Sequence, residues 1–245
     1  MTQSAFEELF HDKLFPQHDR REPTWSYLCR KLAAKRDQMP AGATVLDIGA
    51  GESLYKQIFP QATYVSCDLV SSSDRHDFSD LDVIADASVL PFASGSFDYA
   101  LNMVVLEHVP DPWRTASEMA RVLKLGGTAY ALVPLVRPEH LAPYDFHRFT
   151  RYGIRQMFEQ NGMSIVEIEA SNGALWTAVF YLRQITQQRP IVRFGRRSLR
   201  GMFWNRFWWA LLAPLEWYAS ASDTKYPDDF PIYFWVTATR DRPAT

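Results

Sequence analysis

The spacing of hydrophobic positions changes near residue 44 of this chain. Before that point, apolar residues recur at helical spacing with charged residues between them, which predicts helices over residues 4–15 and 24–38. The sequence MPAGA, at residues 39–43, contains a proline and a glycine and ends the second helical pattern. We interpret residues 1–40 as an N-terminal helical lid.

Short apolar runs alternate with helical segments after residue 44. Five runs predict strands, with the sequences TVLDIG, ATYVSCD, LDVIAD, SFDYALNM and GGTAYALVP. The segments SLYKQIF and PWRTASEMARVL have helical spacing, and a further helix is expected over residues 151–161, before the strands MSIVEIEA and PIYFWVTATR. This alternation predicts a doubly wound α/β fold, a parallel sheet with helices on both faces. Ligands bind such sheets at the carboxyl ends of the strands.

A glycine turn, VLDIGAGES at residues 45–53, follows the first predicted strand. Gly49 and Gly51 lack a Cβ, so they allow a close approach of the backbone. A dinucleotide fingerprint has a third glycine where this chain has Leu54. The turn therefore favours a compact adenosyl ligand over a pyrophosphate, while a tight turn without any ligand stays open as an alternative.

Acidic residues stand at the ends of three successive predicted strands. Asp47 lies at the end of the first, and Asp68 ends the second, where a carboxylate can accept hydrogen bonds from both hydroxyls of a ribose. Asp86 ends the third and could accept from the exocyclic amine of an adenine. Each acid alone could simply cap a helix, but together the three indicate a nucleoside site.

These motifs, in this order, resemble the class I S-adenosylmethionine-dependent methyltransferases, and most of all the small-molecule, methyltransferase type 11-like group. The shared patterns are D-x-x-x-L-P-F at residues 86–92, L-E-H-V at 106–109 and E-x-x-R-V-L-x-x-G-G at 118–127. The resemblance runs from residue 45 to 134. It implies a Rossmann-like seven-stranded sheet with an antiparallel last strand, and S-adenosyl-L-methionine as the cofactor.

The resemblance also implies which residues hold the cofactor. The amino-acid end of the cofactor would be held by Asp47, Gly49, Ala50 and Gly51, and the ribose by Asp68. The adenine would contact Leu69, Asp86 and Ala87, and the floor beneath the sulfonium would consist of Asn102 and Met103. This chain has Ser53 where many members have a third glycine.

A base for the acceptor is sought among the histidines, because methyl transfer to a hydroxyl removes a proton near neutral pH. His108, in LEHV, and His147, in PYDFHRFT at residues 143–150, are equal candidates, and His140 is weaker. A structural role for His108 stays open, with Glu107 beside it structuring the loop.

The substrate is expected at the same PYDFHRFT loop, whose Tyr144, Asp145 and Arg148 form a polar cluster. The loop could equally serve as a helix entry capped by Thr150. It resembles PYDYYRFT-type sequences of methyltransferases associated with cell-surface glycans, which implies a sugar or glycolipid hydroxyl as acceptor. A quinone-like or other lipid acceptor, or a non-catalytic cofactor-binding protein, are the alternatives. A nicotinamide dehydrogenase is disfavoured by Leu54 and Asp47.

The segment 171–229 differs in composition from the predicted core, residues 41–170, and precedes the final strand and tail, residues 230–245. It is rich in tryptophan, residues 170–214 contain no acid, and seven arginines lie there: Arg183, Arg189, Arg193, Arg196, Arg197, Arg200 and Arg206. Such a helical insertion is typical of peripheral membrane contact, here through residues 189–218. Packing as a cap on the active site, or in a homodimer, is the alternative.

The overall composition narrows the partners. The net charge is −2, which gives no basic field for nucleic acid. Cys29 and Cys67 belong to no metal-binding pattern, which favours a reduced, cytoplasmic setting. No signal sequence or transmembrane segment is expected. No carboxylate–histidine group has ligand spacing along the sequence, so no metal is predicted.

Overall fold

The computed structural model describes residues 3–10, 23–70, 77–194, 199–222 and 230–242. These residues belong to two compact units. The sheet unit comprises Met1–Glu169 and Tyr233–Thr245, and the helical unit comprises Ala170–Ile232.

The sheet unit contains a sheet of seven strands in the order β3-β2-β1-β4-β5-β7-β6. The strands are β1 Thr44–Ile48, β2 Thr63–Asp68, β3 Val83–Ile84, β4 Phe97–Met103, β5 Leu123–Pro134, β6 Met163–Ala170 and β7 Tyr233–Arg240. The pairs β1–β2, β1–β4, β2–β3 and β4–β5 are parallel, whereas β7 is antiparallel to β5. The predicted fold class, including the antiparallel last strand, is confirmed.

Four helices of the sheet unit and two of the helical unit lie within the described residues. They are α1 Gln3–Glu8, α2 Pro23–Gln38, α3 Pro112–Val122 and α4 Arg151–Gln160, then α5 Ala174–Phe194 and α6 Leu199–Ser222. The part of the first predicted helix at residues 11–15 lies outside the described residues. Thr150 caps α4 as expected, since its side chain accepts from the Gly153 N–H at 3.1 Å.

The helix predicted from SLYKQIF is wrong in type, because only one 3-10 turn forms there, over Leu54–Gln57. Ser53, which precedes it, has a left-handed backbone (φ 56°) and makes no side-chain cap. Ile58 and Phe59 are fully buried, so the apolar spacing that suggested a helix instead anchors the turn that leads to β2.

The central strands have hydrophobic residues in succession, as expected for strands covered on both faces. In β5, Ala129, Leu132 and Val133 are all at most 1% exposed. Helix α2 is tied to this sheet by Lys31, whose ammonium group lies 2.8 Å from a Glu167 oxygen and 2.6 Å from a Glu169 oxygen of β6. These contacts place α2 on the sheet; the lid role of residues 1–40 stays a prediction.

Helix α3 holds the loop that follows β3. Glu118, which is 5% exposed, accepts the Leu90 N–H at 2.7 Å and pairs with Arg121 of the next helical turn through two bonds of 2.7 and 2.8 Å. Arg121 also donates to the carbonyls of Leu90 (2.9 Å) and Phe92 (2.7 Å). The E-x-x-R pattern therefore fixes the loop next to Asp86.

The helical unit is closed at its base by side-chain bonds between its two ends. Asn172 accepts the Ile232 N–H at 3.1 Å, and the Thr177 hydroxyl donates to the Phe230 carbonyl at 2.9 Å. Within the described residues, no helix combines the length and hydrophobicity that a bilayer span requires.

One face of α6 exposes large apolar side chains. Phe207, Leu211, Leu215 and Tyr218 recur at helical spacing and are 50%, 55%, 39% and 57% exposed, and Trp217 is 73% exposed. We call Phe207, Leu211, Leu215 and Tyr218 the α6 apolar face; Trp217 lies on another side of the helix. Arg196 and Arg197 lie outside the described residues, and the side chains of Arg189, Arg193 and Arg200 are likewise not described.

We expect Arg121→Lys to lower the free energy of unfolding by roughly 1.5–3 kcal/mol, because a lysine cannot bond Glu118 and both loop carbonyls at once. Urea denaturation at pH 7 measures this loss. The control is Arg155→Lys in α4, whose pair with Glu159 is 47% and 42% exposed; a change of more than about 1 kcal/mol is not expected there.

The same contact has a predictable pH dependence. The Arg121 hydrogen bonds lower the pKa of Glu118 below its usual 4.5. The contribution of the Glu118–Arg121 pair to the free energy of unfolding is therefore present above about pH 4.5, and it is lost as the pH falls through the lowered pKa of Glu118. A Glu118→Gln variant that matched the wild type in stability at pH 7 would contradict this account.

Candidate active site

The glycine turn after β1 is shaped by the turn after β4. Gly49 and Gly51 have φ angles of 76° and 53°, and the N–H groups of Gly49 and Ala50 both donate to the Cys67 carbonyl of β2, at 2.8 and 3.0 Å. A Cβ on Gly49 would lie 2.3 Å from Cγ2 of Val105. Gly49 is thus required by a neighbouring side chain, a reason that the sequence did not reveal.

Two buried acceptors at the ends of β1 and β4 lack partners. The Tyr64 hydroxyl donates to Oδ2 of Asp47 at 2.6 Å, but Oδ1 has no hydrogen-bond partner in the described part of the chain. Burial raises the pKa of Asp47 to about 7. Asn102 donates to the Ile48 carbonyl at 3.3 Å, and its Oδ1 is also without a partner there. Buried acceptors of this kind suit the donors of an amino-acid moiety, so the pair fits the cofactor.

Asp68 lies across the glycine turn. Its Oδ2 accepts the Gly51 N–H at 2.9 Å and its Oδ1 accepts the Val70 N–H at 3.2 Å. A carboxylate can accept about four hydrogen bonds, so capacity remains for ribose hydroxyls. Leu69, 58% exposed, presents an apolar side chain beside it. Both assignments stay predictions, and the geometry is compatible with them.

Asp86 is exposed and braces its own turn, since its Oδ1 accepts from the N–H and the hydroxyl of Ser88 at 2.8 and 2.7 Å. Ala87 lies in the same turn. Met103, 7% exposed, ends β4 at the same edge of the sheet as Asp47. The roles of these residues toward the adenine and the sulfonium remain predictions.

The chain turns sharply after β4. Val104 has a left-handed backbone (φ 62°), which is unfavourable for a β-branched residue, and its N–H donates to the Leu132 carbonyl at 2.9 Å. A 3-10 turn follows over Leu106–His108. Glu107 is fully buried there, neither carboxylate oxygen has a hydrogen-bond partner among the described residues, and burial raises its pKa to about 8.

The loop after β5 docks on this turn. The Glu107 carbonyl accepts the N–H groups of Phe146 and His147, at 2.8 and 3.3 Å. The Tyr144 carbonyl lies 2.6 Å from Nδ1 of His108. The structure thus brings together the two motifs, LEHV and PYDFHRFT, that the sequence placed 34 residues or more apart.

Asp145 and Arg148 bind each other. Two bonds of 2.7 Å join them, the Asp145 side chain is 1% exposed, and Arg148 also donates to the Arg137 and Pro138 carbonyls. Hydrogen bonding to Arg148 lowers the pKa of Asp145. The pair fixes the loop, and its predicted contact with substrate stays a prediction. Tyr144, by contrast, is 58% exposed.

Three histidines lie where the loop after β5 contacts the turn after β4. Nε2 of His147 lies 3.3 Å from the Pro110 carbonyl. The ring of His140 packs edge-on against that of His108, with centroids 4.8 Å apart, and its Nδ1 lies 3.2 Å from an Asp145 oxygen. Burial lowers the pKa of His108, which favours its neutral form.

Two of these groups have positions that the sequence does not predict. Glu107 is expected only to structure the loop, and His140 is expected to be a weaker base candidate than the other histidines, yet both lie beside His108. The prediction of no metal was drawn from spacing along the chain, whereas the structure brings one ligand atom each of Glu107, His108 and His140 within 4.8 Å of one another. Their positions directly after β4 and β5, at the ligand edge, were the available signal.

Residues 46–131 match the family described as "Methyltransferase domain". An uncharacterized methyltransferase of Mycobacterium sp. (strain KMS) is 31% identical over 166 residues, a match that covers 59% of this chain. The chain spans 64% of the length of that relative.

Solved structures agree on the fold. A putative sarcosine dimethylglycine methyltransferase from Galdieria sulphuraria superposes with a TM-score of 0.56 at 14% identity, over 89% of this chain and 84% of the other. Phosphoethanolamine N-methyltransferase 2 of Haemonchus contortus, solved with S-adenosyl-L-methionine, gives 0.51 at 18% identity, over 89% and 52%. At these identities the likeness concerns the fold alone.

We expect Asp68→Ala to weaken cofactor binding by roughly 1.5–3 kcal/mol, the value of hydrogen bonds to a charged acceptor. Titration calorimetry with S-adenosyl-L-methionine measures the change. The control is Asp80→Ala, which removes an exposed carboxylate from the segment between β2 and β3. Equal affinity of the Asp68 variant and the wild type would remove the ribose assignment.

The family match covers the glycine turn, the three acids and the turn after β4. The sheet has the predicted seven strands with an antiparallel β7. Buried acceptors that have no partner among the described residues lie where the amino-acid end of the cofactor is expected. Residues 46–131 of this chain are therefore similar to a methyltransferase domain, and S-adenosyl-L-methionine is the cofactor that this similarity implies.

Proposed function

We propose that this chain is a methyltransferase that transfers a methyl group from S-adenosyl-L-methionine to a hydroxyl of a small acceptor, a sugar or a sugar-bearing lipid. The cofactor supplies an electrophilic methyl on a positively charged sulfur. The chain has to hold the acceptor in line with that methyl, exclude water and accept a proton.

The choice of a hydroxyl acceptor rests on the environment of His108, which leaves one ring nitrogen able to accept a proton. Its Nδ1 lies 2.6 Å from the Tyr144 carbonyl, which can only accept, so Nδ1 carries the proton and Nε2 offers a lone pair. The lowered pKa keeps the ring neutral and able to take a proton. His108 follows β4 directly, at the edge where Asn102 and Met103 are expected beneath the sulfonium.

His147 suits the role less well. Its Nε2 faces the Pro110 carbonyl at 3.3 Å, so the remaining nitrogen, Nδ1, would have to act. We therefore assign proton acceptance to His108 and keep His147, with Tyr144, as acceptor-binding residues. The sugar preference is supported by the polar loop alone, in which Asp145 and Arg148 hold Tyr144 at the surface.

The first test is a transfer assay with methyl-labelled S-adenosyl-L-methionine and fractionated lysate of the source cells. We expect the label in a sugar polymer or an oligosaccharide-bearing lipid. We expect His108→Gln to lower the rate by about 10²- to 10⁴-fold, the usual contribution of a general base, with cofactor affinity unchanged.

The same assay separates the alternatives. The His147→Gln variant is assayed beside His108→Gln. A larger loss of transfer rate in His147→Gln would assign proton acceptance to His147 instead of His108. Label in a quinone or a simple lipid would replace the sugar acceptor. Intact cofactor binding without transfer to any fraction would favour a non-catalytic protein.

We also propose that the α6 apolar face contacts an anionic membrane surface. Exposed tryptophan, tyrosine and phenylalanine side chains with basic residues are typical of helices that lie in the headgroup region. Between residues 174 and 222 the sequence has seven arginines and one acid, Glu216. Exposed apolar side chains that adjoin one another on a surface mark interaction sites.

Cosedimentation with vesicles of phosphatidylcholine and phosphatidylserine tests this contact. We expect binding that weakens at least about tenfold in the Phe207→Ser, Leu211→Ser double variant and that decreases with salt. Trp113→Ser, which changes an exposed tryptophan of α3, is the control. Equal vesicle binding by the wild type, the double variant and the Trp113 variant would contradict membrane contact. A wild-type chain that is a dimer, together with a double variant that is a monomer, would assign the face to a second subunit.

A further inference from the structure

Three metal-ligand side chains meet where the turn after β4 contacts the loop after β5. Glu107, His108 and His140 each offer one ligand atom, and these atoms lie within 4.8 Å of one another. Bonds of about 2.0–2.2 Å to one tetrahedral ion would place ligand atoms roughly 3.4 Å apart. Small side-chain rotations would therefore close this set around an ion.

Both rings are held by hydrogen bonds of the kind that support metal-binding histidines. Such histidines use their second nitrogen to donate to a backbone carbonyl or a carboxylate. Nδ1 of His108 is 2.6 Å from the Tyr144 carbonyl, and Nδ1 of His140 is 3.2 Å from an oxygen of Asp145. Each ring is thus left with Nε2 as its ligand atom.

Glu107 provides an independent reason for an ion. Its side chain is fully buried, and neither oxygen has a hydrogen-bond partner in the described ranges. Nε2 of His108 lies 3.8 Å from Oε1 of Glu107, too far for a hydrogen bond. A buried carboxylate without a partner is costly, and a bound cation would satisfy it.

We propose that Glu107, His108 and His140 bind a divalent first-row transition-metal ion. Imidazole ligands favour ions such as Zn²⁺ over Mg²⁺, which prefers oxygen ligands and water. Three protein ligands leave a coordination position open, as in catalytic zinc sites. The His108 and His140 side chains are 16% and 28% exposed, so an ion and an acceptor can reach them.

This inference rests on the proposed function and deepens it. With the ion bound, the Nε2 lone pair of His108 is occupied, and activation of the acceptor passes from the imidazole to the ion. The ion lowers the pKa of the hydroxyl, whose proton passes to water. The oxygen then bonds to the methyl carbon as the carbon–sulfur bond breaks, which yields a methyl ether, S-adenosylhomocysteine and the released proton.

Metal binding is tested on the full, tag-free chain after removal of metals with EDTA. Zn²⁺ is the calorimetric probe, and the visible absorption of Co²⁺ reports the geometry of the site. We expect one ion per chain, and an affinity lowered at least about tenfold in Glu107→Gln and His140→Gln, since even supporting residues matter to that degree. The matched control, His147→Gln, changes a histidine of the same loop and should bind zinc like the wild type.

Two binding results would overturn the site. One is a wild-type chain that binds no zinc. The other is equal zinc affinity in all the variants, which would place the ion elsewhere on the protein. Because Glu107 is buried, its variant is first checked for an unchanged melting temperature; His140→Gln, in a partly exposed loop, serves if that check fails.

The transfer assay, run with and without EDTA, keeps this proposal separate from the proposed function. Transfer that EDTA abolishes and Zn²⁺ restores supports the metal site and the transfer to a hydroxyl, and it changes the role of His108 from proton acceptor to metal ligand. A transfer rate that EDTA does not change, in a chain without bound zinc, overturns the metal site and leaves His108 as the base. Zinc binding that depends on Glu107 and His140, in a chain that methylates nothing, supports the site and overturns the proposed function.

Discussion

The contact between Val105 and Gly49 is the constraint on which the ligand edge depends. It joins the turns after β1 and β4, the neighbouring strands at which the sheet order reverses direction along the chain. Since the Val105 side chain occupies the space where a Cβ of residue 49 would lie, the position tolerates only glycine. The unusual backbone of Val104, just before it, is the local cost of placing that side chain there.

The position of the loop after β5 depends on this turn. Once Val105 is fixed, the 3-10 turn presents the Glu107 carbonyl to the loop after β5, and that loop brings Tyr144 to His108. The bond between Asp145 and Arg148 keeps the loop in this shape. The glycine turn, His108 and the loop after β5 are thus positioned by one another, whereas the segment that follows Asp86 is positioned separately, by α3.

The sequence predicted those features that depend on local pattern. Alternating apolar runs reveal strands, a doubly wound arrangement brings their ends to one edge, and acids at strand ends such as Asp47 and Asp68 are then expected there. Contacts between loops were not predictable in the same way. The position of His140 depends on the path of the loop after β5, and the role of Gly49 depends on the rotamer and backbone of Val105. The 3-10 turn at Leu54–Gln57 was not predicted because apolar residues at helical spacing fit a single turn as well as a helix; of these residues, only Ile58 and Phe59, which follow the turn, are buried.

The closed base of the helical unit has a consequence for how this protein can change. The unit leaves the sheet after β6 and returns in β7, and these strands are neighbours, with Asn172 bonded to Ile232 across the gap. A segment inserted between adjacent strands can be lengthened, shortened or exchanged without shifting the register of the sheet. Residues 170–232 can therefore change in length and sequence while the register of the sheet is kept, and a designer could graft a different module at the same junction.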